Sequence, residues 1–262
     1  MTTSLGKEDL GKFIKEIFKT EMELKPLLQS DWIEGYCVEK DEKIIVYEYA
    51  SKGSIDRYLN NASLTWMRRL SICIDVASAL NFLHEGVVEE AKVIHRDIKT
   101  ANILVYNDWK AKLTDFGLSL ISPINQEMDY VIDHACGTPG YLDPLYRNSG
   151  FLTLGSDIYS FGVVLFEILC GISTIEVYKK EGHYMPEFIK KKFEEGKLDE
   201  LVFKQITEQI VPESLTTFQM IAYQCLHLES ENRPTTKEVL MKLKKALDFQ
   251  LKTGITCDVK VV

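Results

Sequence analysis

Four polar side chains, Asp97, Lys99, Asn102 and Asp115, have types and spacing suited to moving a phosphoryl group. The first three lie in His95-Arg96-Asp97-Ile98-Lys99-Thr100-Ala101-Asn102, a short loop between two apolar segments, and the fourth opens Asp115-Phe116-Gly117. Phosphoryl transfer needs an oriented nucleophile and positive charge on the phosphate oxygens more than it needs covalent catalysis. Asp97 can accept the proton of a hydroxyl, and Lys99 can neutralise the transferred group. Asn102 and Asp115 offer the hard oxygen ligands that magnesium takes.

The elements that must hold these groups follow from periodicity. Leu10, Phe13, Ile14, Ile17 and Phe18 recur at helical spacing with Lys15, Glu16 and Lys19 on another face, which predicts an amphipathic helix over 7–20. Tyr36 to Val38 and Ile44 to Tyr49, separated by the charged turn Glu39 to Lys43, predict a hairpin. Beyond it the chain reads as mostly helical. Trp66, Leu70, Ile74, Ala77, Leu80 and Leu83 mark one long helix, and Ile158 to Leu169, apolar nearly all round, marks another that must be central. Leu215 to Leu226 and Val239 to Phe249 complete a helical C-terminal half. The last helix is opened by Pro234 and a capping-box pattern, Thr235 to Glu238. No pattern is legible over 251–262.

Composition narrows the partners. The 262 residues are 45% hydrophobic and 27% charged, an ordinary globular balance, and the formal charge of −8 opposes polyanions, so no nucleic-acid role is expected. Lys190 to Lys192 are followed at once by Glu194 and Glu195 and read as a solvated face. The six cysteines are too scattered for a zinc site or a disulfide framework, and His183 and His227 have no second ligand at metal spacing. Phe161 to Cys170 contains Glu167 and is roughly half the length a bilayer crossing needs, so it reads as a buried helix. With no signal pattern at Met1, the expectation is a cytoplasmic protein with no direct membrane insertion.

His-Arg-Asp with Asn102, followed in order by Asp-Phe-Gly, resembles the signature of eukaryotic protein kinases. Ile44 to Leu59, Gly137 to Pro144, Gly162 to Gly171 and Cys225 to Pro234 extend the resemblance to the plant receptor-like kinase (Pelle-like) family. It implies an α+β, two-lobed protein-kinase fold: a reduced small lobe over 1–50, a helical large lobe over 51–250, and a tail over 251–262. It implies ATP and Mg2+ as cofactors, protein substrates, and a full-length receptor kinase as a partner that could hold the chain at the plasma membrane. The resemblance makes Tyr47 the gatekeeper, gives adenine the backbone groups of Glu48 and Ala50, and adds Leu104 to the nucleotide site. It makes Asp97 the proton acceptor and Asn102 and Asp115 the metal ligands. Lys99 and Thr138, the latter within Gly-Thr-Pro-Gly-Tyr, resemble the serine/threonine branch. Asp157 resembles a buried aspartate that accepts hydrogen bonds from the catalytic-loop backbone. Arg96 resembles the arginine that pairs with an activation-loop phosphate, for which Ser119, Ser122 and Tyr130 are candidate acceptors.

The resemblance breaks in three places. Neither the family's glycine-rich loop nor its Ala-x-Lys strand precedes residue 7, so Glu16, which matches the glutamate that holds that lysine, has no partner in the sequence and three small-lobe strands are expected to be missing. Glu21 to Glu34 does not show the family's His-x-Asn. In Asp143-Pro144-Leu145, Leu145 stands where the family has the glutamate that pairs with the arginine matched by Arg233; a buried, unpaired guanidinium would cost about 3 to 5 kcal/mol unless water or another carboxylate substitutes. Three readings stay open: a serine/threonine kinase of reduced activity, a kinase-like binding module that docks on a receptor kinase or its substrate, and a truncated gene product.

Overall fold

A computed structural model describes residues 33–39, 42–85, 91–123 and 130–252. The expected helix over 7–20, with Glu16, lies outside the described residues, as do the side chain of Tyr47 and the tail beyond 252.

The most apolar segment of the chain forms the central helix α3, Leu154–Cys170, as its pattern requires: every residue from Ser156 to Leu169 is buried. Two helices, α1 (Trp66–Glu85) and α6 (Pro212–Cys225), pack against it, and α7 (Thr236–Lys252) packs in turn on both of them. Each buried Leu, Val or Phe in such a core contributes about 1.5–3 kcal/mol relative to exposure. Gly162 lets α3 and α6 approach closely, because a Cβ there would stand 2.8 Å from the Cys225 Cβ. Trp66 pins α1 to α6 by donating its indole N–H to the Ser214 hydroxyl at 3.1 Å. The capping box expected before α7 is present, with the Glu238 carboxylate accepting from the Thr235 N–H and hydroxyl. Short helices α2 (Pro144–Ser149), α4 (Thr174–Glu181) and α5 (Met185–Glu194) fill the intervening chain.

The hairpin forms from β1 (Ile33–Glu39) and β2 (Glu42–Tyr47), antiparallel, with Val38 opposite Lys43. After it the chain is mainly helical, as read, with several short strands that the sequence reading does not place. Strands β3 (Gly53–Ser54), β5 (Ile103–Val105) and β6 (Ala111–Leu113) form an antiparallel sheet in the order β3-β5-β6. Strand β4 (Ala91–Ile94) pairs with β7 (Leu120–Pro123), and β8 (Val131–Ile132) with β9 (Phe151–Leu152). Strands of two to four residues are too short to show alternation in sequence. Their function is positional: they deliver the loops that carry Asp97, Asp115 and Thr138 to one edge of the helical body. No single described helix is long and apolar enough to cross a membrane.

Of the alternatives open for a buried Arg233, unpaired or matched by another carboxylate, the structure shows the second. Arg233 is buried, and its two terminal nitrogens donate to the two oxygens of Asp143, each at 2.8 Å. Asp143 lies two residues before the position the family uses, and Leu145 points outward, 36% exposed. The same carboxylate caps α2 through the Leu145 N–H and accepts from the Ser156 hydroxyl in the first turn of α3. A bidentate guanidinium pair with its remaining valences satisfied is the form in which a buried charge is tolerated. Asp143→Ala should therefore destabilise the protein by about 3 to 5 kcal/mol in urea denaturation, whereas Leu145→Glu, at a half-open surface, should change stability by less than about 0.5 kcal/mol.

Candidate active site

The catalytic loop is built around a buried carboxylate. Asp157, in the first turn of α3, accepts the backbone N–H of His95 at 2.7 Å and of Arg96 at 2.8 Å, and His84 of α1 brings its Nε2 to 2.9 Å. Burial raises the pKa of this carboxyl, but these hydrogen bonds and the neighbouring histidines more than offset that and hold it below the usual carboxylate range. The contact expected from resemblance for Asp157 is thus present. Turning both N–H groups toward one carboxylate puts Arg96 in the left-handed region, φ 72°, unusual for a residue with a Cβ. His95 is fully buried, its ring 4.9 Å from that of Phe116, with Nε2 near the Thr114 carbonyl; burial lowers its pKa and keeps it neutral.

Asp97 then projects into a cluster of donors. Its Oδ2 accepts from Lys99 Nζ at 2.5 Å and from the Asn102 amide at 3.2 Å, and its Oδ1 accepts from the Thr138 hydroxyl at 2.6 Å. Lys99 also donates to Thr138 at 3.0 Å. An ionised carboxylate has about four acceptor positions, so one on Oδ1 remains open among the described residues. Thr138 reaches Asp97 because Gly137, φ 134°, lets the backbone pass the catalytic loop: a Cβ there would meet the Arg96 carbonyl at 2.9 Å.

Asn102 spends its amide nitrogen on Asp97, on the backbone carbonyl at 2.9 Å as well as the side chain, which leaves its carbonyl oxygen to offer. Asp115 is exposed, sits in the left-handed region at φ 67°, and its carboxylate bonds to no described residue. One amide oxygen and one free carboxylate fit a hard cation that keeps water and phosphate among its ligands, as magnesium does.

The expected nucleotide side is less complete. Leu104 is half-buried in β5 between buried Ile103 and Val105, so it faces away from the core, opposite Ser54 and Lys112. The 48–50 segment is tied to this strand one turn on, where the Lys52 N–H donates to the Val105 carbonyl at 3.1 Å. The Ala50 carbonyl accepts from the Gly53 N–H at 3.0 Å. The Glu48 side chain pairs with Lys112 at 2.6 Å, a partly exposed contact of small energetic weight.

Sequence reading missed Glu167. This carboxyl is fully buried and gathers the Thr174 N–H, the Tyr141 hydroxyl at 2.8 Å and the Thr100 hydroxyl at 2.9 Å. It thus joins the catalytic loop, the Gly137–Tyr141 stretch and the start of α4. A glutamate in the middle of an otherwise apolar buried helix was the available signal.

A carboxylate ringed by lysine, threonine and asparagine, a second, exposed carboxylate on the following loop, and a buried aspartate holding the first loop match the arrangement that the sequence resemblance implies for the large lobe of a protein kinase. Comparison with known sequences agrees. The pattern of the family described as protein tyrosine and serine/threonine kinase matches residues 15–243. The chain belongs to that family. It is 38% identical over 240 residues to receptor-like protein kinase HERK 1 of Arabidopsis thaliana, an alignment covering 89% of this chain and 29% of that one. It is likewise 38% identical over 240 residues to FERONIA of Arabidopsis thaliana, covering 89% and 26%. To the LRR receptor-like serine/threonine-protein kinase IOS1 of the same plant it is 36% identical over 221 residues, covering 83% and 24%. The chain therefore spans under a third of the length of these relatives.

Glu167 generates a pH prediction. Burial pushes its pKa from 4.5 up to about 7, against the three hydrogen bonds that favour the ionised form. A folded value above the unfolded one means that its contribution to stability is present below pH 4.5 and is lost as pH rises through about 7. Glu167→Gln, neutral and of the same shape, should remove about 1 kcal/mol of the stability decline between about pH 6 and about pH 8, read by urea denaturation at both.

Proposed function

We propose that this chain is the catalytic part of a serine/threonine protein kinase, transferring the γ-phosphoryl group of ATP to hydroxyls of protein substrates. The observation that carries the reading is the Asp97 cluster: Lys99, Asn102 and Thr138 converge on one carboxylate and leave one acceptor position open.

In the proposed reaction the substrate hydroxyl donates to Asp97 Oδ1, and its proton passes to that oxygen as the hydroxyl oxygen attacks the γ-phosphorus. The bond from phosphorus to the β–γ bridging oxygen breaks, and ADP carries the electron pair away. Lys99 faces the same carboxylate and offsets charge on the transferred group. Asn102 and Asp115 would hold magnesium, which when bound would neutralise charge on the phosphate oxygens. Adenine would lie against the 48–50 backbone and Leu104. Thr138 contacting both Asp97 and Lys99 supports serine or threonine as acceptor, since this lysine and threonine resemble those of the serine/threonine branch and stand together at the carboxylate. The similarity to receptor-like kinases supports a receptor kinase as partner and a position at the inner face of the plasma membrane.

The test is transfer of labelled phosphate from ATP with magnesium to the chain itself and to a general serine/threonine substrate. Asp97→Asn should lower transfer by at least about 10²-fold with unchanged circular dichroism. Equal signals from both proteins, each shown to be folded, would overturn the enzyme reading in favour of a binding module.

A further inference from the structure

Arg96 carries its charge indoors. Its side chain is 9% exposed, its backbone is fixed by Asp157, and its guanidinium crosses to the segment that runs from Asp115 toward α2. There one terminal nitrogen meets three groups: the Tyr146 hydroxyl, the His134 carbonyl at 3.2 Å and, at 2.8 Å, Oδ2 of Asp133. The Cys136 thiol stands nearby, 3.7 Å from the Tyr146 hydroxyl. Asp133 is the carboxylate that the structure gives Arg96 on this segment.

Asp133 is held where it can do this. Its backbone N–H donates to the Gly150 carbonyl at 3.0 Å, directly after the β8–β9 pairing, and its Oδ1 accepts the His134 N–H at 2.7 Å. Both oxygens are therefore committed, one to its own chain and one to Arg96. The three hydroxyls that sequence offers as phosphate acceptors are not placed this way. Ser119 donates to the His95 carbonyl at 3.2 Å, and the Tyr130 ring packs edge-on against Phe151 at 4.9 Å; the Ser122 side chain lies outside the described residues.

A phosphate would bring three acceptor oxygens and close to two negative charges to such an arginine, ordering the segment it sits on. A carboxylate brings one charge and two oxygens. The difference is visible: Arg96 Nε is buried and has no hydrogen-bond partner among the described residues.

Resting on the kinase reading of the Asp97 site, we propose that Asp133 is a positioning residue that does the work of an activating phosphate. Its carboxylate latches the 130–150 segment to Arg96, and through Arg96 to the catalytic loop, with no phosphorylation required. The segment's docking is then encoded in the chain and not conferred by an upstream kinase.

Amide hydrogen exchange on the phosphatase-treated chain tests this without relying on turnover, so a failure of phosphate transfer leaves the result readable. In wild type, the amides of 131–137 should be protected. Asp133→Asn, which keeps shape and loses charge, should speed their exchange about tenfold, the effect of losing a hydrogen bond to a charged group. Protection in α3 and α6 should be unchanged, which excludes global unfolding. Asp133→Glu should restore most of the protection. Two outcomes overturn the proposal: equal exchange in wild type and Asp133→Asn, or a wild-type segment that loses protection on phosphatase treatment, which would mean that a phosphate does the latching.

Discussion

The whole site hangs from one carboxylate. Asp157 is buried at the head of the central helix and is the acceptor for two consecutive backbone N–H groups and a histidine. Leaving such groups unsatisfied would cost about 1–3 kcal/mol each, so the loop has little choice but to turn toward the helix at His95 and Arg96. The turn sends Arg96 toward one neighbour and Asp97 toward the other. Arg96, in the strained left-handed region at φ 72°, reaches Tyr146 and Asp133, while Asp97 reaches Lys99, Asn102 and Thr138. That strain, of order 1–3 kcal/mol in such regions, is offset locally by the charge-assisted bonds to Asp157.

Other buried charges repeat the pattern at other joints. Asp143 and Arg233 connect α2, the start of α3 and the approach to α7. Glu167 connects the catalytic loop to the start of α4. Arg69, from α1, donates to the carbonyls of Leu59, Leu64 and Ile168. Burying such groups costs desolvation energy that good geometry only balances, so their net contribution to stability is small. Their contribution to placement is large: each has a single arrangement in which all its valences are filled, and that arrangement fixes how loops that lack periodic structure lie on the helices.

This division explains what could be read from the sequence. Features encoded by nearby residues were legible: the long helices from apolar spacing, the capping box at Thr235 and Glu238, the hairpin around Glu39 to Lys43, and the Asp97 to Asn102 spacing that puts three functional groups on one loop. Features that depend on distant partners were not. Arg233 finds Asp143 across 90 residues, and a reading by family position looked at Leu145, two residues away from the carboxylate that is used. Nothing in the stretch from Tyr130 to Cys136 distinguishes Asp133 from a solvated acid; its role appears only when the β8–β9 pairing brings it beside Arg96. Glu167 was visible as an oddity, an acid in an apolar helix, but its three donors come from three separate segments.

The same contacts make the segment from Asp133 to Asp143 and the catalytic loop a single unit. Asp133 holds Arg96, Thr138 holds Asp97, Tyr141 shares Glu167 with Thr100, and Asp143 reaches Ser156 one residue before Asp157. Four contacts in sequence thus link the two segments to each other or to α3, which is buried at every residue from Ser156 to Leu169. Independent movement of the segment would break several charge-assisted bonds at once, whereas release at one point leaves the others in place. Coupling of this kind needs no long-range pathway, since each link is a direct contact. The open acceptor position on Asp97 is a product of the same coupling. It exists because Thr138 takes only one of the two positions on Oδ1, and Thr138 is held to that geometry from both sides along the chain.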